Sequence, residues 1–518
     1  MNRNRMIDYL KFSPDIYDII VIGGGATGLG TALDAAQRGY KTLLLEQSDF
    51  AKGTSSRSTK LIHGGLRYLK QGNIHLVKEA LTERGIIFKN APHLVQPIAF
   101  MLPIYKWWET PFYMSGLKIY DLLAGSSSFQ KSKRISKDEV HEKFPTLEFQ
   151  NLKGGIVYYD GQFDDTRLAI CLAQTCVDLD AVVVNYCKVT SLIKKNHKVC
   201  GVIAHDEINK QEYRLHSKVV INATGIFSDQ IRKMDNEASL EMITPSQGVH
   251  LVLDKSFLPS NMSMIIPQTK DNRILFMVPW HNRILVGTTD TKIETPLLEP
   301  VAFKKEVSFL LEHISKYLTK KPTEKDILSV FAGIRPLVKK SDKKTAALSR
   351  NHVITVSDSH LITITGGKWT TYRKMAEDVV NKAMEVAALK PMPCQTRQTK
   401  LHGFQENIEG VDSWDFYGSD KDKITRMIHE NPEFGIPLHP NLPYLTAEVI
   451  WAIRHEMAQT VEDFLSRRSR ALLLDARASI EIAEKVAKLM ANELGKDKQW
   501  IKNQVENFTS LAKNYFID

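Results

Sequence analysis

Three glycines near the start of the chain have the spacing of a dinucleotide-binding turn. Gly23, Gly25 and Gly28 follow a short apolar run and precede a stretch with helical periodicity. The first glycine permits a tight turn, the second lets backbone amides approach a pyrophosphate, and the third lets the helix lie close to the strand. The positive end of that helix then faces the anion. The pattern predicts a site for a dinucleotide cofactor.

An acidic residue stands where the second strand of such a unit should end. Glu46 lies 18 residues beyond Gly28, and its carboxylate can accept hydrogen bonds from a ribose diol and repel a 2′-phosphate. This favours FAD or NAD over NADP. We prefer FAD because the chain then enters a hydroxyl-rich loop that can donate to phosphates and to a flavin ring. The cofactor-binding candidates in that loop are Thr54, Ser55, Ser56, Ser58 and Thr59.

Two later segments also favour a flavin. The run Val219–Gly225 is a buried-type strand that ends in the small residues Ala223, Thr224 and Gly225. The Gly366-Gly367-Lys368 turn precedes a helix, so its N–H groups and the helix dipole can face the flavin pyrimidine, where negative charge accumulates on reduction. Each segment alone is equally typical of an ordinary strand and turn. Together they favour a flavin.

The apolar patterns predict the elements that position these residues. The runs Ile16–Ile22 and Thr42–Leu45 flank a helical stretch, which makes a βαβ unit. Strand-like runs near residues 240–330 predict a separate, mostly antiparallel sheet. Helical periodicity dominates after the hinge at Lys390–Pro393. The predicted fold class is α/β, with a Rossmann-like FAD-binding domain, an antiparallel-sheet substrate domain and a helical C-terminal domain.

We predict the following boundaries for these domains. The oxidoreductase region covers residues 1–388, and the helical C-terminal domain covers residues 389–518. Within the first region, the predicted FAD-binding segments are about 16–100, 150–240 and 330–388, and the substrate-side sheet is about 240–330.

Composition places the chain among globular proteins with more than one domain. It has 518 residues, of which 43% are hydrophobic and 25% charged, which excludes disordered and low-complexity classes. The net charge of +10 suits a phosphorylated substrate, an anionic membrane or a nucleic acid without choosing among them. The five cysteines form no C-x-x-C pair, no metal site is predicted, and no apolar run could span a membrane. We therefore expect a cytoplasmic protein.

The segment His63–Leu69 (HGGLRYL) carries a more specific resemblance. The chain resembles the FAD-dependent glycerol-3-phosphate dehydrogenases, flavoproteins that pass electrons from glycerol 3-phosphate to quinone. The resemblance covers nearly the whole chain. Its further motifs are VVINATG at 219–225, VGTTDT at 286–291, FAGIRPL at 331–337, ITGGKWTTYR at 364–373 and HEMAQTVEDFLSRRSR at 455–470.

The resemblance implies that glycerol 3-phosphate lies over noncovalently bound FAD and that the hydride on C2 passes to flavin N5. Basic residues would hold the phosphate, because a dianion that leaves water needs charge-assisted hydrogen bonds. The substrate-binding residues transferred by motif are Arg67, Tyr68, Arg335, Arg350 and Lys368.

Removal of the hydride also requires a base for the hydroxyl proton. His63 precedes two glycines that can bring it close to the flavin, and His250 matches a family histidine on the substrate-side sheet. A histidine pKa of about 6.5 suits this role. Lys368 and a water molecule remain alternatives, so the catalytic candidates are His63, His250 and Lys368.

A quinone acceptor implies a location at the inner face of the cell membrane. Pro103–Lys137 contains six Lys or Arg residues against two acids, together with aromatic residues and a short amphipathic pattern, which is typical of an interfacial anchor. An insertion that packs on the sheet, or a contact in a homodimer, explains the segment equally well. The arginines Arg467, Arg468 and Arg470 are either solvated or structural.

Three other functions compete with the dehydrogenase. A glycerol-3-phosphate oxidase shares the fold, but the family's oxidases carry an inserted segment for which this chain has no obvious room. An amino-acid oxidase would need a less cationic site. An FAD-containing RNA-binding or structural protein is suggested only by the net charge, and because the basic residues are dispersed without an RNA motif, no nucleic-acid partner is expected.

Overall fold

The structure is a computed structural model that describes residues 1–12, 16–65, 69, 72–267, 269–271, 273–339, 352–406 and 414–517. Most strands belong to two large sheets. In chain order the strands are β1 (Tyr17–Ile22), β2 (Thr42–Leu45), β3 (Leu61–Ile62), β4 (Val95–Ile104), β5 (Lys133–Ile135), β6 (Gly154–Phe163), β7 (Val182–Val184), β8 (Cys187–Lys195), β9 (Lys198–Asp206), β10 (Gln211–Asn222), β11 (Ile243–Asp254), β12 (Ser263–Ile266), β13 (Leu275–Trp280), β14 (Arg283–Gly287), β15 (Thr291–Lys292), β16 (Ile327–Val338), β17 (His352–Val356), β18 (Ile362–Gly366), β19 (Pro437–His439) and β20 (Leu442–Leu445).

Helices cover the sheets and form most of the C-terminal part. The α-helices are α1 (Arg3–Phe12), α2 (Ala26–Gln37), α3 (Ile74–Asn90), α4 (Glu109–Ala124), α5 (Lys137–Lys143), α6 (Asp165–Asp178), α7 (Ser228–Asp235), α8 (Lys304–Ile314), α9 (Tyr372–Val386), α10 (Lys421–Glu430), α11 (Thr446–Glu456), α12 (Ala471–Leu474), α13 (Ala476–Glu481), α14 (Ala483–Leu494) and α15 (Lys498–Ala512). None of the helices in the described ranges is both long enough and apolar enough to cross a membrane.

The first sheet has the parallel arrangement expected for a dinucleotide-binding unit. Its order is β17-β18-β10-β1-β2-β7, and the pairs β18-β10, β10-β1, β1-β2 and β2-β7 are parallel. β1 is rich in β-branched residues and almost entirely buried, as a central strand of such a sheet requires. The register sets Ile22 beside Asn222 and Leu45, so the carboxyl ends of β1, β10 and β2 share one edge.

The second sheet is mostly antiparallel and contains more of the chain than we predicted. Its order is β15-β11-β14-β13-β12-β4-β6-β3, with β16 beside β11 and β5 beside β6. β6 lies in a segment predicted to bind FAD, and β4 and β16 lie partly in such segments, whereas β7 to β10 do return to the first sheet. The difference arises because β4 and β6 pair over their whole length, a contact between distant segments that local patterns do not reveal.

The C-terminal helices pack against the second sheet. Residues of α11 and α14 share a hydrophobic core with β4, β6 and β16. The helical stretch that begins at Thr446 is interrupted, because α11 ends at Met457 in the left-handed conformation, with φ of 56°. A single π-helical segment, Asp463–Arg468, follows it.

Candidate cofactor and substrate site

A cleft that opens to solvent lies at the carboxyl edge of the first sheet. Segments that follow β1, β2, β10 and β18 form its walls, which is where ligands bind in open α/β sheets. The sequence-predicted cofactor residues that line it are Gly23, Gly25, Glu46, Thr54, Ser55, Ala223, Thr224, Gly225, Gly366 and Gly367, and Lys368 lines it as well. The cleft therefore brings together segments that are up to 345 positions apart in the sequence.

The glycine turn after β1 needs glycine at its first and third positions. Gly23 has φ of 112°, which side chains rarely tolerate. A Cβ on Gly28 would lie 1.8 Å from the Gly23 carbonyl oxygen, so α2 can approach β1 only without a side chain there. Gly25 caps the helix at the cleft wall, and the positive end of α2 therefore faces the cleft.

Glu46 is fixed at the end of β2 by two backbone N–H groups. Gly24 N donates to Oε2 at 2.6 Å, and Ser48 N donates to Oε1 at 2.9 Å. Each carboxylate oxygen retains acceptor capacity for a ribose hydroxyl. Burial raises the pKa of Glu46, and these two bonds oppose the rise. The residue therefore braces the glycine turn and can also bind a ribose.

The hydroxyl loop divides into two groups with different contacts. Ser55 Oγ accepts from Ala26 N at 2.9 Å, and Thr54 Oγ1 donates to the Ile334 carbonyl at 2.6 Å. Ser56, Ser58 and Thr59 are not part of the cleft wall. Ser58 Oγ donates to Asp165, and Thr59 Oγ1 lies 2.9 Å from His250 Nε2. Ser58 and Thr59 thereby join the loop to α6 and to β11.

A buried ion pair behind this loop was not predicted. Lys60 Nζ donates to both Asp165 carboxylate oxygens at 2.7 Å, and neither side chain is exposed. The ammonium also lies 5.2 Å from the Trp280 ring centroid and 5.5 Å from that of Phe331. Burial lowers the pKa of Lys60 although Asp165 opposes the shift. The pair ties the loop to α6 and to the second sheet.

The Gly366–Lys368 turn ends β18 and leads to α9. Gly366 and Gly367 have φ of 83° and 72°, and a Cβ on Gly367 would lie 2.3 Å from Met375 Sδ. The next residue, Trp369, also lines the cleft, and its Nε1 donates to the Ser55 carbonyl at 2.8 Å. Trp369 was not singled out from the sequence, although it stands within the TGGKWT motif.

His250 lies within β11, on the second sheet. Its ring stacks on Phe331 with centroids 5.0 Å apart, and Nδ1 is buried without a hydrogen-bond partner in the described ranges. Burial, followed by the charges of Arg335 and Lys60, holds the pKa of His250 well below its usual value. The imidazole is therefore neutral near pH 7 and a weak proton acceptor.

Arg335 lies on the face of the second sheet that meets the hydroxyl loop. Its Nη2 donates to Thr288 Oγ1 at 3.2 Å and to the Thr289 carbonyl at 3.1 Å, and Nη1 lies 3.8 Å from Asp290. A Cβ on Gly248 would lie 2.3 Å from Nη2, so a glycine is needed for the guanidinium to lie there. The VGTTDT motif thus orients this arginine, a role that its sequence did not suggest.

The structure describes fewer contacts for the remaining predicted residues. His63 follows β3 and is half-buried, and its backbone N–H lies 3.4 Å from Thr370 Oγ1, which brings it to the TGGKWT turn. Arg67, Tyr68 and Arg350 lie outside the described residues. Within the parts of the chain that the structure covers, no group of three or more His, Cys, Asp or Glu residues could hold a metal.

These walls fit FAD. The cleft supplies backbone amides and a helix N-terminus for a pyrophosphate, a carboxylate for a ribose, and a second glycine turn with positive φ for the ring system. Adding a Cβ at Gly23 or Gly28 would bring it against backbone atoms of the same cradle. Other wall residues not foreseen from the sequence are Gln47, Lys52, Lys188, Phe227, Met234 and Leu298.

Two family models match the chain. The model described as FAD dependent oxidoreductase matches residues 18–373, and that of the C-terminal domain of alpha-glycerophosphate oxidase matches residues 362–501. The mitochondrial glycerol-3-phosphate dehydrogenase of Mesocricetus auratus is 41% identical over 538 residues, covering 96% of this chain and 73% of that protein. The human enzyme is 40% identical, with 95% and 72% covered, and that of Arabidopsis thaliana is 40% identical, with 97% and 86% covered.

Solved structures agree with this family assignment. The glycerol-3-phosphate dehydrogenase of Bacillus halodurans, complexed with FAD, superposes with a TM-score of 0.80 at 29% identity and covers 99% of this chain and 98% of its own. The L-alpha-glycerophosphate oxidase of Mycoplasma pneumoniae has a TM-score of 0.55 at 18% identity over 74% of this chain and 97% of its own, a likeness of fold. The predicted fold class and the FAD cofactor are confirmed.

Proposed function

The chain belongs to the family of FAD-dependent glycerol-3-phosphate dehydrogenases, and on that premise we propose that it oxidises sn-glycerol 3-phosphate to dihydroxyacetone phosphate and passes the electrons to a membrane quinone. The observation that carries the proposal is the position of Arg335. Its guanidinium lies on the sheet face next to the hydroxyl loop, where it can form the charge-assisted hydrogen bonds that a substrate phosphate needs. Arg67, Tyr68, Arg350 and Lys368 are the further substrate ligands that we propose from the motifs.

The FAD would accept the C2 hydride at N5, and the protein must take the hydroxyl proton. We assign that proton to His63, with His250 and Lys368 as the alternatives. The depressed pKa of His250 makes it a poor acceptor, because efficient bases have pKa values near the working pH. His63 is half-buried, and its backbone N–H contacts Thr370 at the end of the TGGKWT motif, whose Gly366–Trp369 residues line the cleft.

We further propose that the α4 face binds the inner surface of the cell membrane, where quinone resides. Trp108, Phe112, Ile119 and Leu122 have the spacing of one helical face, and all four are exposed. The opposite face of α4 is buried through Leu117 and Tyr120, so this outer apolar stripe is additional to the face that packs on the protein.

Basic groups beside the stripe favour an anionic bilayer as its partner. Lys106 Nζ lies 5.8 Å from the Trp108 ring centroid, and Lys118 Nζ donates to the Ser132 carbonyl at 3.1 Å. The Ser132 contact brings the exposed side chains of Lys131, Lys133 and Arg134 close to α4. Aromatic residues flanked by lysine and arginine are typical of helices that lie in the interface of anionic membranes.

Anaerobic mixing with glycerol 3-phosphate tests the reaction. The absorbance band of the oxidised flavin should bleach, recover quickly when a soluble quinone analogue is added, and recover only slowly in air. Fast recovery in air would mean a glycerol-3-phosphate oxidase. A band that does not bleach would contradict the substrate, and a band that bleaches with glycine or sarcosine instead would mean an amino-acid oxidase.

Vesicle flotation tests the membrane face. Wild-type protein should float with vesicles that contain phosphatidylserine and remain unbound with pure phosphatidylcholine. The double variant Phe112→Ser with Leu122→Ser should lose about tenfold or more in vesicle affinity, because it removes two exposed apolar side chains that would enter the bilayer interface. Leu240→Ser is the matched control, since Leu240 is 84% exposed and lies outside α4. Dimers that dissociate in the double variant, with vesicle binding intact, would identify the stripe as a homodimer contact.

A further inference from the structure

We propose that Arg467 and Arg468, in the C-terminal helical part of the chain, are positioning residues for FAD, because they hold the loop that forms one wall of the cofactor cleft. The loop runs from Glu46 to Arg57 and lines the cleft with Glu46, Gln47, Ala51, Lys52, Gly53, Thr54 and Ser55. The proposal concerns retention of the cofactor and is independent of the substrate and the electron acceptor. It gives a role to the HEMAQTVEDFLSRRSR motif, which the proposed reaction does not use.

Asp49 is the point at which the two arginines contact the loop. Arg468 donates from Nη1 to Oδ2 at 2.6 Å and from Nη2 to Oδ1 at 2.9 Å, and Arg467 Nε donates to Oδ2 as well. Asn185 Nδ2 donates to Oδ1 at 3.2 Å. None of the side chains of Asp49, Arg467 and Arg468 is more than 3% exposed. A buried, bidentate pair such as that of Arg468 with Asp49 restricts both the distance and the orientation of the two groups.

Lys52 provides a second connection between the loop and the same segment. Its Nζ donates to Glu462 Oε2 at 2.8 Å, and Arg467 Nη1 donates to the other oxygen of Glu462 at 2.8 Å. Lys52 itself forms part of the cleft wall. The charges of Arg467 and Lys52 overcome the effect of burial and lower the pKa of Glu462 to about 2. A single guanidinium, that of Arg467, therefore contacts both the Asp49 and the Glu462 attachment points.

The arginines are themselves rigidly held. Arg467 Nη2 donates to Asp463 at 2.7 Å, and Arg468 Nη2 donates to the Glu456 carbonyl at 2.7 Å. Both arginines lie in the π-helical segment Asp463–Arg468, a helix geometry that is common at functional sites. Burial alone would raise the pKa of Asp49, but the charges of Arg468 and Arg467 hold it well below its usual range. The carboxylate is therefore ionised, and its attachment persists over the physiological pH range.

The position of the loop is coupled to the cofactor cradle by backbone contacts. Ala51 N donates to the Gly24 carbonyl at 2.9 Å, and Ser55 Oγ accepts from Ala26 N. Phe50 is fully buried, and a Cβ on Gly24 would lie 2.9 Å from its ring. A displacement of Asp49 would therefore move the residues that hold the glycine turn.

Two loop variants and two controls separate cofactor positioning from general stability. Asp49→Asn weakens the contact with both arginines, and Lys52→Gln removes the contact with Glu462. Met490→Ala creates a cavity in the buried C-terminal core, far from the loop in the sequence, and Arg454→Gln breaks the exposed pair with Glu493. For each variant, the apoprotein is titrated with FAD, its melting temperature is measured, and hydrogen exchange of residues 46–57 is measured in the holoenzyme.

We expect the dissociation constant for FAD to rise about tenfold or more in Asp49→Asn and about two- to fivefold in Lys52→Gln. Exchange of residues 46–57 should accelerate in both. Met490→Ala should lower the melting temperature with the dissociation constant within about twofold of wild type, because a core cavity costs stability without touching the loop. Arg454→Gln should change neither quantity.

The proposal is overturned if Asp49→Asn and Met490→Ala raise the dissociation constant equally for the same loss of melting temperature, or if loop exchange is unchanged. Should Asp49→Asn fail to fold, Lys52→Gln decides the matter, because the Lys52 side chain is 17% exposed and its loss leaves Glu462 paired with Arg467. Unchanged FAD affinity and unchanged exchange in Lys52→Gln would then reject the proposal.

Discussion

The cofactor cleft and the interface behind it use opposite chemistry, although they share the loop from Glu46 to Arg57. Apart from three lysines, the cleft wall offers mainly backbone groups, hydroxyls and the Glu46 carboxylate. Behind the loop lies what we term the buried charge cluster, which consists of Asp49, Lys52, Arg167, Glu456, Glu462, Asp463, Arg467 and Arg468. In the cluster, four acids face four cations, so each charge is satisfied within the protein.

This contrast predicts how each region responds to substitution. Cleft groups that keep hydrogen-bonding capacity for a ligand should affect binding and turnover more than folding when they are changed. Cluster groups have already lost their water and depend on one another, so removal of one partner leaves an uncompensated buried charge. The first region should therefore alter kinetics, and the second should alter stability and the position of the loop.

Arg167→Met tests the second half of this contrast and should have the largest effect on stability. Arg167 forms a bidentate pair with Glu456 at 2.7 and 2.8 Å, and its guanidinium lies 4.7 Å from the Tyr417 ring centroid. We expect a loss of about 3–5 kcal/mol in the free energy of unfolding, measured by chemical denaturation.

Arg454→Met is the control for that variant, because its pair with Glu493 is largely exposed and should cost less than about 1 kcal/mol. Equal losses in the two variants would mean that the buried charge cluster contributes no more than surface ion pairs.

His63→Ala tests the cleft side. We expect kcat for glycerol 3-phosphate to fall about 100-fold or more, with KM nearly unchanged and the flavin retained, because the variant removes a proton acceptor rather than a binding group. The exposed His75 provides a matched control, and His75→Ala should have wild-type kinetics. An unchanged kcat in His63→Ala would transfer the role of base to His250 or Lys368.

Arg335→Ala should have a smaller effect on the same reaction. Loss of a charge-assisted contact with the substrate phosphate should raise KM about 10- to 100-fold, and flavin absorbance and melting temperature should stay close to wild type. Arg335→Lys should recover part of the affinity, since it restores the charge without the guanidinium fork. Loss of FAD from Arg335→Ala would instead assign the residue to cofactor binding.

The cleft could be predicted from the sequence because its parts are local. The glycine turn, Glu46 and the Gly366–Lys368 turn each lie within a few residues of a strand end, and parallel strands bring those ends to one edge. The assignment of β4 and β6 to the second sheet could not be predicted, since their pairing depends on contacts across about 60 residues.

The buried charge cluster could not be predicted for the same physical reason. Arg468 and Asp49 are 419 positions apart, and an arginine in a sequence is more often solvated than buried. The sequence left open whether Arg467, Arg468 and Arg470 are solvated or have a structural role. All three are almost completely buried, so their role is structural. The only sequence signal was their grouping within a motif of the family.

His402→Gln tests a contact between α6 and the C-terminal part of the chain, and it should have the smallest effect of these substitutions. His402 Nε2 lies 2.9 Å from Asp420, and Nδ1 contacts Asp178 at the end of α6, so the imidazole joins the first sheet's helices to the C-terminal part. Burial lowers its pKa, but the two carboxylates outweigh burial and raise the pKa to about 9. Lys423 also contacts Asp420 and moderates the field of that carboxylate.

The sign of the pH dependence follows from that shift. With a pKa of about 9 when folded and about 6.5 when unfolded, the contribution is complete below about pH 6.5 and disappears as the pH rises to about 9. We expect His402→Gln to lose about 1–2 kcal/mol of unfolding free energy at pH 6 and little at pH 10, after allowance for the exposure of Asp178. His439→Gln, whose partner Glu481 is mostly exposed, should lose less than about 1 kcal/mol at either pH. A loss in His402→Gln that is equal at both pH values would show that packing, rather than charge, joins the two regions at this position.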